Sequence, residues 1–190
     1  MTKRSCILIG PGVLGISRTF TVALAAAIAI VANVLSAEDA KPVRLFILSG
    51  QSNMAGLNPD LSYTPTVTAA FADEEVIVVK SAQGGQPIRR WYKKWQPPEG
   101  RTSPSPADGA LYDTLLTAVQ KRLGDKRPAS IVFVWMQGER DAKEKFASVY
   151  EASLTGVVQQ LKDDLHCDTI GVVVGRLSDC RNNDADWLAL

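Results

Sequence analysis

Short apolar runs that alternate with longer segments of helical periodicity most constrain how this 190-residue chain can fold. The runs are rich in Val, Ile and other apolar side chains, which is typical of strands buried on both faces of a parallel sheet. With 46% hydrophobic and 22% charged residues, the chain is expected to form one globular domain. The predicted strands are residues 43–48, 75–80, 130–135 and 169–175.

Two segments between these runs have the spacing of amphipathic helices. Residues 107–123 and 142–165 each place apolar side chains on one helical face. Asp108 and Asp141 are the predicted N-caps of these helices. Strands that alternate with helices predict an α/β sandwich with right-handed crossovers. In such a sheet, binding and catalytic groups collect beyond the carboxyl ends of the strands.

Polar clusters follow three of the four predicted strands. Residues 48–56 read LSGQSNMAG, residues 81–86 read SAQGGQ and residues 136–141 read MQGERD. Small polar residues often end strands, so each cluster alone is also compatible with a simple turn. Because parallel strands end at the same edge of a sheet, we expect the three clusters to lie close together.

The three clusters contain the groups that acyl transfer requires. Such a reaction needs a nucleophilic hydroxyl and N–H donors directed at the oxygen that becomes negative. Ser52 has a hydroxyl and a backbone N–H, and Gly84 or Gly85 can offer an N–H that no Cβ shields. Gln137 can add a side-chain amide. The clusters therefore indicate an oxyanion site around Ser52.

Three sequence segments resemble the SGNH (GDSL-like) hydrolase superfamily, in its branch of sialate O-acetylesterases and acetylxylan esterases. They are LFILSGQSNMAG at 45–56, GGQPIRRWYKKW at 84–95 and VFVWMQGERDA at 132–142. The likeness extends over residues 43–179, with the segments in the family order. The resemblance implies a three-layer α/β/α, flavodoxin-like fold with a mainly parallel sheet, and ester hydrolysis without metal or cofactor.

The resemblance also assigns roles to individual residues. It implies that Ser52 is the nucleophile, that Gly85 rather than Gly84 is the favoured glycine donor, and that Gln137 is the third-cluster amide. Glu139 and Asp141 match the branch pattern, either orienting Gln137 or capping the next helix. Tryptophan and tyrosine side chains of the second segment either stack on sugar rings or pack a long loop. The candidate substrate contacts are Gln51, Asn53, Gly84, Glu139 and Trp91.

The activating base is the missing part of this pattern. In the family the base is a histidine in a late D-x-x-H block, and the single histidine of this chain, His166, does follow Asp163 at that spacing. His166 lies between the predicted helix 142–165 and the last strand, at the opposite sheet edge, roughly 20 Å from Ser52 for a strand of about six residues. Proton transfer requires about 3 Å. We therefore expect His166 to be a surface or helix-end residue.

The last residues, 180–190, match no motif of the family, so the expectation is a domain that lacks the late D-x-x-H block. The predicted function is a serine esterase that removes O-acetyl groups from glycans, with an acetylated carbohydrate as partner. One alternative is a truncated, catalytically impaired pseudoenzyme without the catalytic histidine. Another is an esterase acting on a non-sugar acyl ester.

The N-terminus has the pattern of a secretory signal. Basic residues precede an apolar, Ala-rich run at 20–32, and small residues follow it, with cleavage predicted near Ala37. We therefore predict a signal peptide over 1–37, an esterase domain over 38–190, and export to the periplasm or exterior with no membrane attachment after cleavage. A retained membrane anchor is the alternative, although the run is shorter than the roughly 20 residues that span a bilayer.

Other features of the chain exclude some function classes. The G-x-G-x-x-G match at 10–15 falls in the predicted leader and contains Pro11, so it does not indicate a dinucleotide site. A net charge of +1 gives no electrostatic reason to expect a nucleic acid partner. Cys167 and Cys180 would remain after cleavage, and a disulfide between them is possible but not established by two cysteines.

Overall fold

The sheet of this protein contains four parallel strands in the spatial order β2-β1-β3-β4. The computed structural model describes residues 41–178 and 183–190, so the predicted signal peptide, the G-x-G-x-x-G match and Cys180 lie outside the described residues. The strands are β1 (Val43–Gly50), β2 (Glu75–Ala82), β3 (Pro128–Met136) and β4 (Gly171–Val174). Each predicted strand is present, and the α/β class is confirmed.

The register of the strands brings the three polar clusters to one edge. Gly50 at the end of the central strand β1 pairs with Ala82 of β2 on one side and with Met136 of β3 on the other. The residues that follow these three positions therefore leave the sheet side by side. The prediction that the clusters meet is confirmed.

Helices cover both faces of the sheet. Six α-helices and three short 3-10 turns lie in the described part of the chain. The helices are α1 (Ser52–Gly56), α2 (Tyr63–Ala70), α3 (Ala110–Leu123), α4 (Glu139–Lys143), α5 (Tyr150–Leu165) and α6 (Ala185–Leu188). The turns are Pro59–Leu61, Ile88–Arg90 and Ala147–Val149.

Alternation along the strands produces two separate apolar cores, one on each side of the sheet. Leu45, Ile47 and Phe133 point to the face covered by α3 and α5. Phe46 and Leu48 point to the opposite face, where Met54 of α1 and apolar side chains of α2 pack. The arrangement is the predicted three-layer α/β/α sandwich.

The predicted helix over 142–165 is two helices instead of one. Helix α4 ends at Lys143, and Lys145 adopts a φ of +63°, which an uninterrupted helix excludes. The chain then turns through Ala147–Val149 before α5 begins at Tyr150. The apolar periodicity continued across this break because Phe146 packs into the same core as the helix face that follows it.

Both predicted N-caps need correction. Helix α3 is capped by Gly109 at a φ of +62°, and Asp108 lies one residue earlier, where its carboxylate accepts the Ala110 N–H at 3.1 Å. Helix α4 is preceded by Gly138, and Asp141 lies inside the helix with its side chain buried. Asp141 therefore does not cap a helix, because tertiary contacts hold its carboxylate.

Strand β4 differs from the expectation of strands buried on both faces. All four of its residues are exposed, including Val172, Val173 and Val174. In the described part of the chain β4 pairs only with β3, so it forms an edge of the sheet. The valines of this segment predict a buried strand because composition does not distinguish an edge strand from a central one. Among the described residues, no helix has the length and apolar character needed to cross a membrane.

Candidate active site

The turn between β1 and α1 is fixed by Gly50. Its φ is +139°, and a Cβ built there would lie 2.1 Å from the carbonyl oxygen of Met136. That close approach allows the Gln51 N–H to donate to the Met136 carbonyl at 2.8 Å. Only glycine fits this position, so the chain turns sharply out of the sheet directly before Ser52.

Ser52 is exposed at the start of α1, next to the loop that follows β2. The Cβ position of Gly84 lies 3.8 Å from both the Cα and the Cβ of Ser52, an ordinary van der Waals distance. Gly85 has a φ of +70° and open space where a side chain would be. Ser52, Gly84 and Gly85 therefore share one exposed surface at the carboxyl edge, as the sequence predicts.

The side-chain amide of Gln137 lies beneath this surface and is 3% exposed. Its Nε2 donates to Asp141 Oδ2 at 2.6 Å and to the Gln86 carbonyl at 3.1 Å, and Gln51 Oε1 is 3.4 Å away. The Tyr150 hydroxyl lies 2.8 Å from Gln137 Oε1. The amide is thus held at both ends by protein groups, and donation to a substrate oxygen would require one N–H to leave its present acceptor.

Asp141 is a fully buried carboxylate in contact with this amide. Its Oδ2 accepts from Gln137 and, at 2.9 Å, from the backbone N–H of Ile88, whereas its Oδ1 has no hydrogen-bond partner in the part of the chain that the structure describes. Burial raises the pKa of Asp141 to about 6, against the lowering effect of these hydrogen bonds and of the Arg89 charge. Of the two roles expected for Asp141, the geometry agrees with orienting Gln137.

Gln51 connects the first cluster to the third. Its side chain is buried, and Oε1 lies 3.3 Å from the backbone N–H of Arg140, in the first turn of α4. The same oxygen faces Gln137 Nε2. Gln51 therefore lies under the surface on which Ser52 is exposed, where it braces the two clusters against each other.

Asn53 and Glu139 form a second link between the clusters. Asn53 Nδ2 donates to Glu139 Oε1 at 2.8 Å, at the exposed rim beside Ser52. The other carboxylate oxygen, Glu139 Oε2, is buried without a hydrogen-bond partner among the described residues. The structure thus brings Glu139 to the neighbourhood of the predicted nucleophile.

Trp91 lies in the hydrophobic core and is 1% exposed. Its indole N–H donates to Ser49 Oγ at 3.1 Å, and its ring packs edge-on against Trp135. Trp95 is also buried, and Tyr92 packs against α5, where its ring occupies the space that a side chain at Gly156 would need. For these aromatic residues the geometry agrees with loop packing and leaves Trp91 no exposed face for a sugar ring.

His166 lies where the sequence predicts, at the end of α5 and away from Ser52. It is exposed, adopts a left-handed φ of +52° and lines a surface cavity together with Pro128, the first residue of β3. Ser52 lies at the opposite edge of the sheet, just after the carboxyl end of β1. Strand β3 alone has nine residues, so at about 3.3 Å per residue the two side chains are more than 20 Å apart.

Some residues of the site could not be found from sequence. Tyr150 reads as one apolar position of a helix, yet its hydroxyl lies within 2.8 Å of Gln137 and accepts the Trp135 indole N–H at 2.9 Å. The Gln86 carbonyl and Ile88 N–H are backbone groups with no sequence signature. Within 41–178 and 183–190, no three His, Cys, Asp or Glu side chains are grouped so as to hold a metal ion.

Comparison with known proteins identifies the family. A scan against models of protein families matches residues 55–189 to the carbohydrate esterases described as sialic acid-specific acetylesterase. The chain belongs to this family. Membership supports a carbohydrate acetylesterase-type function at the family level, with ester bonds as the bonds cleaved and acetylated carbohydrates as the substrate class.

The match to the esterase family covers most of the candidate site but not all of it. It contains the glycine pair and Gln137 but begins just after Ser52. It also continues through the described C-terminal helix α6, in a tail where comparison of motifs finds no family residue. The carbohydrate esterase family therefore covers more of the tail than the motifs indicate.

One solved structure supports the fold of this esterase-family chain. The crystal structure of an Arabidopsis thaliana protein has a TM-score of 0.55 and 16% sequence identity, covering 72% of this chain and 75% of that one. At this identity the likeness concerns the fold alone. Among curated proteins, none matches this sequence.

Proposed function

We propose that the chain is an SGNH-type serine esterase that acts on O-acetylated carbohydrates, with Ser52 as the nucleophile. One observation carries the proposal: the exposed Ser52 lies at the carboxyl edge of the central strand, 3.8 Å from the position that a Cβ of Gly84 would take, and Gly85 follows with open space where a side chain would be. An acetyl carbonyl placed over Ser52 would meet backbone N–H groups that no side chain shields. The family supplies the substrate class.

The proposed reaction has two steps. The Ser52 hydroxyl oxygen bonds to the acetyl carbon, its proton is lost, and the carbon–oxygen bond to the sugar breaks as the sugar oxygen gains a proton. Water then attacks the acetyl-serine, releases acetate and restores the hydroxyl. The N–H groups of Ser52 and Gly85 bind the oxyanion in both steps. The Gln137 amide joins them only if it leaves the Gln86 carbonyl.

A catalytically impaired form of this site is the second candidate function. His166, the single histidine in the sequence, lies at the opposite edge of the sheet, and proton transfer needs contact at about 3 Å. Because no histidine of the described residues lies near Ser52, we expect the purified chain to hydrolyse an activated acetyl ester very slowly, and to retain at most weak glycan binding.

The test compares acetate release by the purified protein and by two variants. Ser52→Ala is expected to abolish release from p-nitrophenyl acetate and from an O-acetylated sugar. Ser62→Ala is the matched control, because Ser62 is an exposed serine whose side chain makes no capping bond. Release that persists in Ser52→Ala would reject Ser52 as the nucleophile. Efficient turnover that depends on Ser52 would reject the impaired form, and a strong preference for non-sugar esters would reject the carbohydrate substrate.

We also propose that the protein acts outside the cytoplasm, with residues 1–37 as a cleaved signal peptide. The charge, apolar and small-residue order of that segment supports the proposal. Mass measurement of the protein recovered from the cell exterior or periplasm tests it. A mass that includes residues 1–37, or recovery with the membrane fraction, would contradict cleavage.

A further inference from the structure

We propose that Asp141, together with Gln137, is a positioning residue that holds the loop of residues 83–88 against Ser52. This loop, the glycine loop, carries Gly84 and Gly85, the proposed sources of oxyanion N–H groups. Its importance for catalysis rests on the proposed function. The hydrogen bonds that hold the loop do not depend on the proposed function, so they can be tested without measuring turnover.

The beginning of the glycine loop is attached by backbone alone. The Gln83 N–H donates to the carbonyl of Gly50 at 3.1 Å, which continues the β1–β2 pairing by one residue. Beyond this point the chain leaves the sheet, and Gly84 and Gly85 are both exposed. The glycine pair therefore needs a second attachment to keep a fixed distance from Ser52.

Side chains of the third cluster provide that second attachment. Gln137 Nε2 donates to the carbonyl of Gln86 at 3.1 Å, and Asp141 Oδ2 accepts the N–H of Ile88 at 2.9 Å. The same Asp141 oxygen accepts from Gln137 Nε2 at 2.6 Å. One carboxylate oxygen thus connects both contacts at the end of the loop.

The charges around Asp141 make this attachment specific. Arg89 is a cation that acts on Asp141, but its guanidinium donates to Glu144 at 2.5 Å and to Ser105 Oγ at 2.8 Å. The Asp141 carboxylate is consequently bonded to the two N–H donors that fix the loop and not to an ion-pair partner. The other titratable groups that interact with it are Glu144 and Tyr150, and Tyr150 in turn interacts with Glu139.

The attachment is expected to weaken in mild acid. Because burial raises the pKa of Asp141 to about 6, the carboxylate gains a proton within a range that proteins tolerate. Its free oxygen, Oδ1, can take the proton, and Oδ2 then accepts as a neutral group. Hydrogen bonds to a charged acceptor are about twice as strong as neutral ones. Opening of the loop removes the Ile88 hydrogen bond that lowers the pKa of Asp141 while the carboxyl group stays buried, so protonation favours the open form and the glycine loop should open more often below pH 6.

Solution NMR of the purified protein tests the hold directly. The Ile88 amide proton and the Gln137 Nε2 protons are expected to shift with an apparent pKa near 6, and this titration should vanish in Asp141→Asn. At neutral pH the Ile88 amide of the variant should exchange about tenfold faster, the difference between a charged and a neutral acceptor. The Gln83 amide, which is bonded to Gly50, should be unaffected.

Asp163→Asn is the matched control, because Asp163 is an exposed carboxylate on α5. It should leave the Ile88 amide unchanged. A wild-type Ile88 amide that does not titrate between pH 4 and 8, or that exchanges equally in folded Asp141→Asn, would overturn the proposal. If the variant does not fold, the titration of the wild-type protein decides alone.

Turnover provides a separate readout. Asp141→Asn should lower kcat about tenfold with little change in KM, because the loop contacts the reacting group and not the rest of the substrate. An unchanged kcat in a variant whose Ile88 amide is released would remove the catalytic part of the proposal. Ser52-independent activity would reject the proposed function, and the NMR result would still decide the hold.

Discussion

Gly50 is the residue on which the geometry of the site most directly depends. It combines a φ of +139° with a Cβ position 2.1 Å from the Met136 carbonyl oxygen. Both the backbone conformation and the space exclude a side chain. The turn that exposes Ser52 therefore requires glycine at position 50, because any Cβ there would clash with the Met136 carbonyl.

Substitution of Gly50 should be among the most damaging single changes in the described fold. Gly50→Ala must displace either Met136 of β3 or the start of α1, and we expect a loss of about 3 kcal/mol or more in the free energy of unfolding. Gly56→Ala is the control, since Gly56 has open space and lies in α1, where alanine should be neutral or stabilising by up to about 1 kcal/mol. Denaturant unfolding of both variants checks the prediction, and equal stabilities would contradict it.

At the residue scale, the sequence predicts which groups meet but not which are buried. Ser52, the glycine pair and Gln137 could be placed together because parallel strands end at one edge. Trp91 could not be placed, because an aromatic side chain in a loop suits a sugar platform as well as a core. The bonds of Asp141 to Ile88 and Gln137 depend on loop positions that periodicity does not encode.

At the scale of elements, strands were predictable to within a few residues and helix boundaries less so. The break between α4 and α5 escapes prediction because Phe146 keeps the apolar spacing of a continuous helix while Lys145 leaves the helical conformation. Composition similarly fails to separate the exposed edge strand β4 from the buried central strand β1. In both cases tertiary packing overrides the local pattern.

A pair of substitutions at Lys145 tests whether this break is built into the backbone. A residue other than glycine costs about 1–2 kcal/mol in the left-handed region, so Lys145→Gly should be about 1 kcal/mol more stable than Lys145→Ala. Both variants lose the half-exposed ammonium group that pairs with Asp184 at 2.9 Å, so this loss cancels in the comparison.

The same two substitutions at Lys143, to glycine and to alanine, are expected to have the opposite order of stability. Lys143 is exposed and helical, so the alanine variant should be the more stable by about 1 kcal/mol. Thermal or denaturant unfolding of the four variants gives the two differences. The same order at both positions would show that residue 145 is not held in a left-handed conformation.

At the scale of the whole molecule, the buried Asp141 opposes the usual effect of carboxylates on acid stability. Partly buried carboxylates such as Glu74, whose pKa is lowered by its hydrogen bond to Arg44, stabilise the fold above their unfolded pKa and lose that contribution in acid. Asp141 does the reverse, because burial raises its pKa to about 6 from an unfolded value near 3.9. The fold therefore contains carboxylates whose contributions change in opposite directions with pH.

Comparison with Asp141→Asn isolates the contribution of this one group. Between about pH 4 and pH 6 the folded protein binds the Asp141 proton and the unfolded chain releases it, so the contribution of Asp141 decreases as pH rises through that window. A shift of about two pKa units corresponds to about 3 kcal/mol. We subtract the free energy of unfolding of the variant from that of the wild type, and this difference should be about 3 kcal/mol smaller at pH 7.5 than near pH 3.5. Other carboxylates cancel in this difference.

Denaturant unfolding of both proteins across this range, at constant ionic strength, measures the difference. A pH-independent difference would show that Asp141 has an ordinary pKa and is not desolvated. With the expected slope, Asp141→Asn would gain about 3 kcal/mol of stability relative to the wild type between pH 3.5 and pH 7.5, while its glycine loop exchanges faster at neutral pH. That combination would distinguish a role in positioning the loop from a role in stabilising the fold, because the ionised Asp141 would hold the loop while its burial lowers the stability of the folded state at neutral pH.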